Sequence, residues 1–238
     1  MEEAEWSRLL KHVAHEQSEL VLLPELPFSP WVATEKPFNL QKWEASVADH
    51  SRWVARLNEL APASVLSSRT GARRRNEGFV WDVNGYRAVH DKYYFPDEEG
   101  FWEATWYERG ELDFTAVEVT STKVGFAICS DLWFTEHARQ YAQQGIHILA
   151  CPRATELATR DKWIAGGRAG AIMSGAFCVS SNKGGEGSGI RWGGSGWIID
   201  PDGEVLGLTS KDEPFLTLEL DLELAERAKT TYPRYVHD

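Results

Sequence analysis

The sequence predicts an α/β fold in one domain spanning residues 1–238. Three observations point there. Segments with apolar residues at helical spacing alternate with short apolar runs that read as strands. Gly, Pro and Asn punctuate the boundaries, most plainly at Asn84-Gly85, a strong hairpin signal. The alternation of strands and helices at both ends, with hairpins between, describes layers of sheet and helix rather than a bundle or an all-β sandwich.

The elements follow in order. Residues 3–18 place Trp6, Leu9, Leu10, Val13 and Ala14 on one helical face. Residues 20–23 (Leu-Val-Leu-Leu) form a buried strand stopped by Pro24, with Glu25 directly after. Residues 40–60 repeat the helical pattern through Trp43, Val47, Trp53, Val54 and Leu57. Residues 64–68 read as a strand, and 77–83 with 86–90 as a hairpin that runs on into Asp91-Lys92. Residues 93–115 are loop-rich, broken by Pro96, Gly100 and Gly110. Strands are expected at 115–120, 123–128, 146–151, 176–181, 196–199, 204–206 and 215–220. Helices are expected at 136–144, ended by Gly145, at 161–176, rich in Gly and Ala, and at 223–228.

Composition narrows the function. A net charge of −11 argues against nucleic acid and anionic membranes, both of which need clustered Lys and Arg. The one basic cluster, Arg73-Arg74-Arg75, reads as a solvated loop. No apolar run approaches the roughly 20 residues that cross a bilayer. The opening Met1-Glu2-Glu3-Ala4-Glu5 has neither the basic nor the apolar region of a secretory leader. Three widely spaced cysteines in apolar settings suit a reducing compartment, so a cytoplasmic location is expected. The eleven tryptophans are read mostly as core filler, with Trp102 and Trp133 singled out as pocket residues.

Three polar residues stand where apolar strands end: Glu25, Lys92 and Cys129. Strand ends in α/β sheets are where sites are built, because the sheet fixes them while the loops open to solvent. Cys129 follows Val124-Gly125-Phe126-Ala127-Ile128 and precedes a turn and a helix. Free backbone N–H groups and the helix dipole are expected to favour its thiolate there. A carboxylate, an ammonium and a thiol have complementary chemistry, suited in turn to proton removal, oxyanion stabilisation and nucleophilic attack. Weaker candidates are a Cys129–His137 pair and a metal pair at His12 and His15, the latter better read as a polar helix face.

Four segments carry a resemblance to the nitrilase, or carbon–nitrogen hydrolase, superfamily: residues 22–25, 91–103, 125–136 and 194–205. Lys162-Trp163 and Arg168 extend it over nearly the whole chain from about residue 5. The resemblance implies a four-layer α-β-β-α sandwich. It implies Glu25 as general base, Lys92 as oxyanion stabiliser, Cys129 as nucleophile and the Ser130 N–H as second oxyanion donor. Glu103, favoured over Glu98 and Glu99 by the Phe-Trp-Glu pattern, would orient Lys92 and the substrate. The implied reaction is hydrolysis of a non-peptide C–N bond in an amide or N-carbamoyl compound through a thioester, without cofactor or metal. Nitrile hydrolysis, acyl transfer to an amine, and a silent interaction protein of the same fold are the alternatives. A homodimer or higher homo-oligomer is expected. The family normally begins with a further strand before its first helix, whereas this sequence begins inside that helix. The expectation is therefore an unpaired sheet edge, unless the protein starts upstream or another segment fills the gap.

Overall fold

A computed structural model describes residues 1–236. Two sheets pack face to face, with helices on both outer faces. The first sheet has the order β1-β2-β3-β4, formed by Leu20–Leu22, Ser64–Thr70, Asn76–Asp82 and Gly85–Asp91. β1 and β2 are parallel and the other pairs antiparallel. In the second sheet β5 (Val117–Val119), β6 (Thr122–Phe126), β7 (Ile148–Arg153) and β8 (Phe177–Asn182) are followed by β11 (Trp197–Ile199) and β12 (Val205–Leu208), in the order β12-β11-β8-β7-β6-β5. A separate small hairpin pairs β9 (Glu186–Gly187) with β10 (Ile190–Arg191).

Hydrophobic clusters define the layers. Leu66 and Val80 of the first sheet meet Val124, Phe126, Ile148 and Ala150 of the second. On the outer face of the first sheet, Trp6, Leu9 and Val13 of α1 (Glu3–Glu16) and Trp53 of α2 (Leu40–Val54) cover Val21, Leu23, Val65 and Phe79. On the outer face of the second, Tyr141 of α4 (Thr135–Gln143) and Trp163 and Ala171 of α5 (Arg160–Ser174) pack on Ile128, Leu149, Cys178 and Trp197. The remaining helices are α3 (Glu103–Trp106) and α6 (Leu222–Ala228). This is the four-layer arrangement that the resemblance implied.

Two expectations need correction. Residues 215–220 are extended but join no ladder. The apolar run dictates an extended backbone, and the partner edge it needs is missing. β1 is the other face of the same fact: it lies at the edge of its sheet, bonded to β2 alone. The helix expected over 40–60 ends at Val54, and Leu57–Leu60 form a short 3-10 turn instead. His12 bonds Thr217 Oγ1 at 3.0 Å, on the polar face of α1.

One contact fixes how α4 meets the sheet. A Cβ at Gly125 would lie 2.8 Å from the Tyr141 ring. That ring cannot retreat, because its hydroxyl accepts from the Phe126 N–H (3.1 Å) and donates to the Phe126 carbonyl (2.9 Å). Gly125→Ala is expected to destabilise the fold by about 1–3 kcal/mol through overpacking. Urea unfolding of the variant beside the parent chain measures it, and an unchanged midpoint would contradict the contact.

Candidate active site

The site forms where β1, β4 and β6 end. Past β1, the Ser67 hydroxyl donates to the Pro24 carbonyl at 2.7 Å, and the Glu25 N–H donates to the Arg153 carbonyl of the second sheet at 3.2 Å. The Leu26 N–H donates to Ser68 Oγ at 3.3 Å. Glu25 is thus pinned to both sheets, and its side chain is fully buried. Past β4, the Lys92 N–H donates to the Asn76 carbonyl at 2.9 Å. The Asn76 amide in turn donates to Glu25 Oε1 at 2.7 Å, so one residue of β3 holds both partners.

Lys92 is 0% exposed, and its ammonium joins the two carboxylates. Nζ donates to Glu25 Oε1 at 2.8 Å and to both oxygens of Glu103, at 2.8 and 2.7 Å. Burial by itself would depress this ammonium. The carboxylates of Glu103 and Glu25 outweigh it and hold the group well above the usual lysine value. Burial pushes the Glu103 carboxyl up to about 7, against the pull of Lys92 and with the push of Glu25. Two carboxylates share one ammonium, so a proton added to the cluster goes to a carboxylate. Glu25 Oε2 is buried without a hydrogen-bond partner, which leaves it free to take a proton.

Cys129 begins a tight 3-10 turn, Cys129–Trp133, two residues beyond Ala127, whose N–H still bonds across to the Ala150 carbonyl. Its φ of 49° lies in the left-handed region, the strained turn that the strand–turn–helix pattern demands. The thiol is buried, bonded to the Ala154 backbone, and within electrostatic reach of Glu25, Lys92 and Glu103. The expected thiolate is not the resting state. Burial first, and the Glu25 charge second, push the thiol well above its ordinary value, outweighing Lys92 and the Ala154 contact. A base is therefore required. The N–H of Ser130 belongs to the first turn of this 3-10 segment, where backbone donors have no partner within the helix. The Ser130 hydroxyl donates to the Tyr94 carbonyl.

Asp131 joins the lysine segment to the cysteine turn. Its Oδ1 accepts from the N–H groups of Tyr93 (3.2 Å) and Tyr94 (3.0 Å), and its Oδ2 from Ile128 (3.2 Å). His90 Nε2 lies 3.1 Å from Oδ2, and its Nδ1 lies 3.1 Å from the Asp113 carbonyl. Both ring nitrogens thus face oxygen atoms, one on the loop before β5 and one on the cysteine turn.

The remaining candidates lie as follows. Trp102 precedes Glu103 and carries the Lys36 ammonium 4.5 Å above its ring. Trp133 ends the 3-10 turn, 46% exposed, against Trp163 at 4.9 Å. His137 is engaged elsewhere: Nε2 bonds the Tyr94 hydroxyl at 2.8 Å and the ring stacks on Phe114 at 3.6 Å. Glu98 and Glu99 are exposed, unlike Glu103. Sequence reasoning missed the roles of Asn76, His90 and Asp131. Only Asp131, two residues past the cysteine, offers a signal in the chain itself.

A family model described as carbon-nitrogen hydrolase matches residues 3–230. The chain is 29% identical over 243 residues to the chloroplastic omega-amidase of Arabidopsis thaliana, covering 95% of this chain and 65% of that one. It is 31% identical over 186 residues to the N-carbamoylputrescine amidase of Solanum tuberosum, covering 70% of this chain and 61% of that one. The chain thus spans less than two thirds of the length of either relative. The crystal structure of a carbon-nitrogen hydrolase from Helicobacter pylori G27 superposes with a TM-score of 0.83 at 24% identity, over 98% of this chain and 88% of that one.

Asp131→Asn turns an amide N–H₂ toward donors it cannot serve. We expect it to cost about 2–3 kcal/mol of stability. Denaturant titration tests this, and a loss within the error of the midpoint would remove Asp131 from its joining role.

Proposed function

Because the chain belongs to the carbon–nitrogen hydrolase family, we propose that it hydrolyses a non-peptide C–N bond of a small amide or N-carbamoyl compound through a thioester on Cys129. One observation carries the reading: a buried ammonium bonded to two carboxylates, with the thiol in their field. The names of the amidases to which the chain is similar support the amide or carbamoyl substrate.

Glu25 takes the thiol proton as the sulfur attacks the carbonyl carbon. The oxygen that becomes negative is held by Lys92 and the Ser130 N–H, charge that the site is built to receive. Glu25 returns the proton to the leaving ammonia or amine as the C–N bond breaks. It then deprotonates water, which attacks the thioester carbon, and the sulfur leaves with that proton restored. Glu103 holds Lys92 in place on the side opposite Glu25. Trp102 and Trp133 flank the approach. Cytoplasmic location and a homo-oligomer packed through the helices beside the cysteine turn complete the reading. The large exposed surface of Trp133 supports the second. Among the described residues no helix is long and apolar enough to cross a membrane.

The test is ammonia release from a panel of amides, N-carbamoyl compounds and nitriles. Turnover of amides or carbamoyl compounds is expected, with an acyl adduct by mass spectrometry that Cys129→Ala abolishes. Glu25→Gln is expected to lower kcat by about 10²–10⁴-fold. Equal turnover by the Cys129→Ala chain would end the proposal.

The acid limb of kcat/KM is expected near pH 7, since the buried Glu103 carboxyl takes up a proton there. Glu103→Gln removes a like charge from beside Glu25 and leaves Lys92 to Glu25 alone. The carboxyl that titrates near pH 7 is then absent, so the limb should move away from neutral pH. A pH–rate profile of the variant checks the shift.

A further inference from the structure

A further cation lies inside the fold, close to the thiol and the base. Arg153 ends β7 and is 1% exposed. Its guanidinium bonds neutral acceptors: Nε donates to Ser180 Oγ at 2.8 Å, Nη1 to Thr155 Oγ1 at 2.8 Å and Nη2 to the Ser195 carbonyl at 2.6 Å. It lies 3.9 Å from the ring centroid of Trp197 and 5.4 Å from that of Trp163. Among the described residues, no carboxylate pairs with it. Dipoles and ring faces solvate a cation without cancelling its charge. Burial lowers the guanidinium from its ordinary value, yet arginine keeps its proton in proteins. An unpaired charge in the interior is expensive, and an apolar side chain would fill the same space without that cost.

The position of the charge gives it a use. The Arg153 carbonyl accepts from the Glu25 N–H at 3.2 Å, and the backbone of the next residue, Ala154, bonds the Cys129 thiol. The guanidinium packs on Trp163 and Trp197, which share a cluster with Cys129. The titratable groups in its field are the thiols of Cys151, Cys129 and Cys178 and the carboxylate of Glu25. Burial pushes the Cys151 thiol up, and the Cys178 thiol up to about 11, so both stay neutral. Cys129 and Glu25 are left to feel the charge. With both carboxylates ionised, Glu25, Glu103 and Lys92 leave one negative charge over. Arg153 brings that sum to zero, in an interior where charges act strongly on one another.

We propose that Arg153 is a positioning residue of the reaction, whose unpaired charge offsets the excess of the carboxylates and so lets negative charge develop on the Cys129 sulfur. The proposal rests on the reading of Cys129 as the nucleophile.

The test is alkylation of Cys129 by iodoacetamide on the folded chain at about pH 8, which reports the thiolate. Mass spectrometry follows it, with Cys129→Ala as the blank. Arg153→Met removes the charge and keeps the bulk, and it is expected to slow alkylation at least about tenfold, as one unit in the titration of the thiol would. Thr155→Asp keeps the arginine and sets a carboxylate beside it. It is expected to slow alkylation as much, and it carries the test if Arg153→Met does not fold. Arg153→Lys keeps the charge and loses the planar fork, and its rate should stay within about threefold of the parent. Unchanged rates in Arg153→Met and Thr155→Asp overturn the proposal. So does equal slowing in Arg153→Lys, which would trace the effect to the lost hydrogen bonds. Failure of Arg153→Lys to fold would make the arginine a structural tie and nothing more. The readout needs no turnover, so an inactive substrate panel and a missing charge effect are told apart.

Discussion

Lys92 brings one positive charge into the interior and finds two negative ones waiting. A buried charge without partners is expensive, and a lone ammonium here would be driven to its neutral form. Short contacts to Glu25 and Glu103 reverse that tendency, so the ammonium remains a cation with no surface in water. The constraint works in both directions. Without the lysine, the carboxylates would face one another across a dry space, and ion pairs of this kind lose far more when one partner goes than they gain on forming. The ends of β1, β4 and α3 are therefore held to one mutual geometry. The backbone anchors at Pro24, Arg153 and Asn76 can be read as serving it.

The cysteine obeys a different logic. It is placed by backbone strain and by Asp131, which gathers three N–H groups, two from Tyr93 and Tyr94 of the lysine segment and one from Ile128 beside the cysteine. Its thiol is quiet because burial first, and the Glu25 charge second, disfavour a negative charge there. A nucleophile that is protonated at rest resists adventitious oxidation and alkylation, since the thiolate is the reactive species. On the proposed reading, its reactivity depends on a substrate carbonyl arriving beside Lys92 to share the charge.

Much of this is legible in the sequence, and the limits are instructive. Glu25, Lys92 and Cys129 each end an apolar run, and that local pattern is visible in a single chain. The layers show through helical and two-residue periodicities. Asn76 and His90 do not, because they bind groups remote in sequence and leave no periodic trace. The state of the thiol escapes the sequence for a related reason. A turn offers N–H groups, which favour charge, but burial and the nearness of Glu25 are properties of the assembled fold. Residues 215–220 show the same boundary: alternation specifies an extended backbone and is silent about who pairs with it. Helix α3, with four residues, is too short for its period to register.

The burial of the cluster has a kinetic corollary. Glu25 and Lys92 have no exposed surface, Glu103 is 1% exposed, and Cys129 at 5% is the most exposed of the four. In the reaction proposed above, the sulfur is thus the member of the cluster nearest to solvent. On that proposal, water for the second half-reaction would take the route that the departing amine had vacated, so the first product would leave before the second co-reactant entered. A double-displacement order of this kind would make the released amine a competitor of water for the same acyl group.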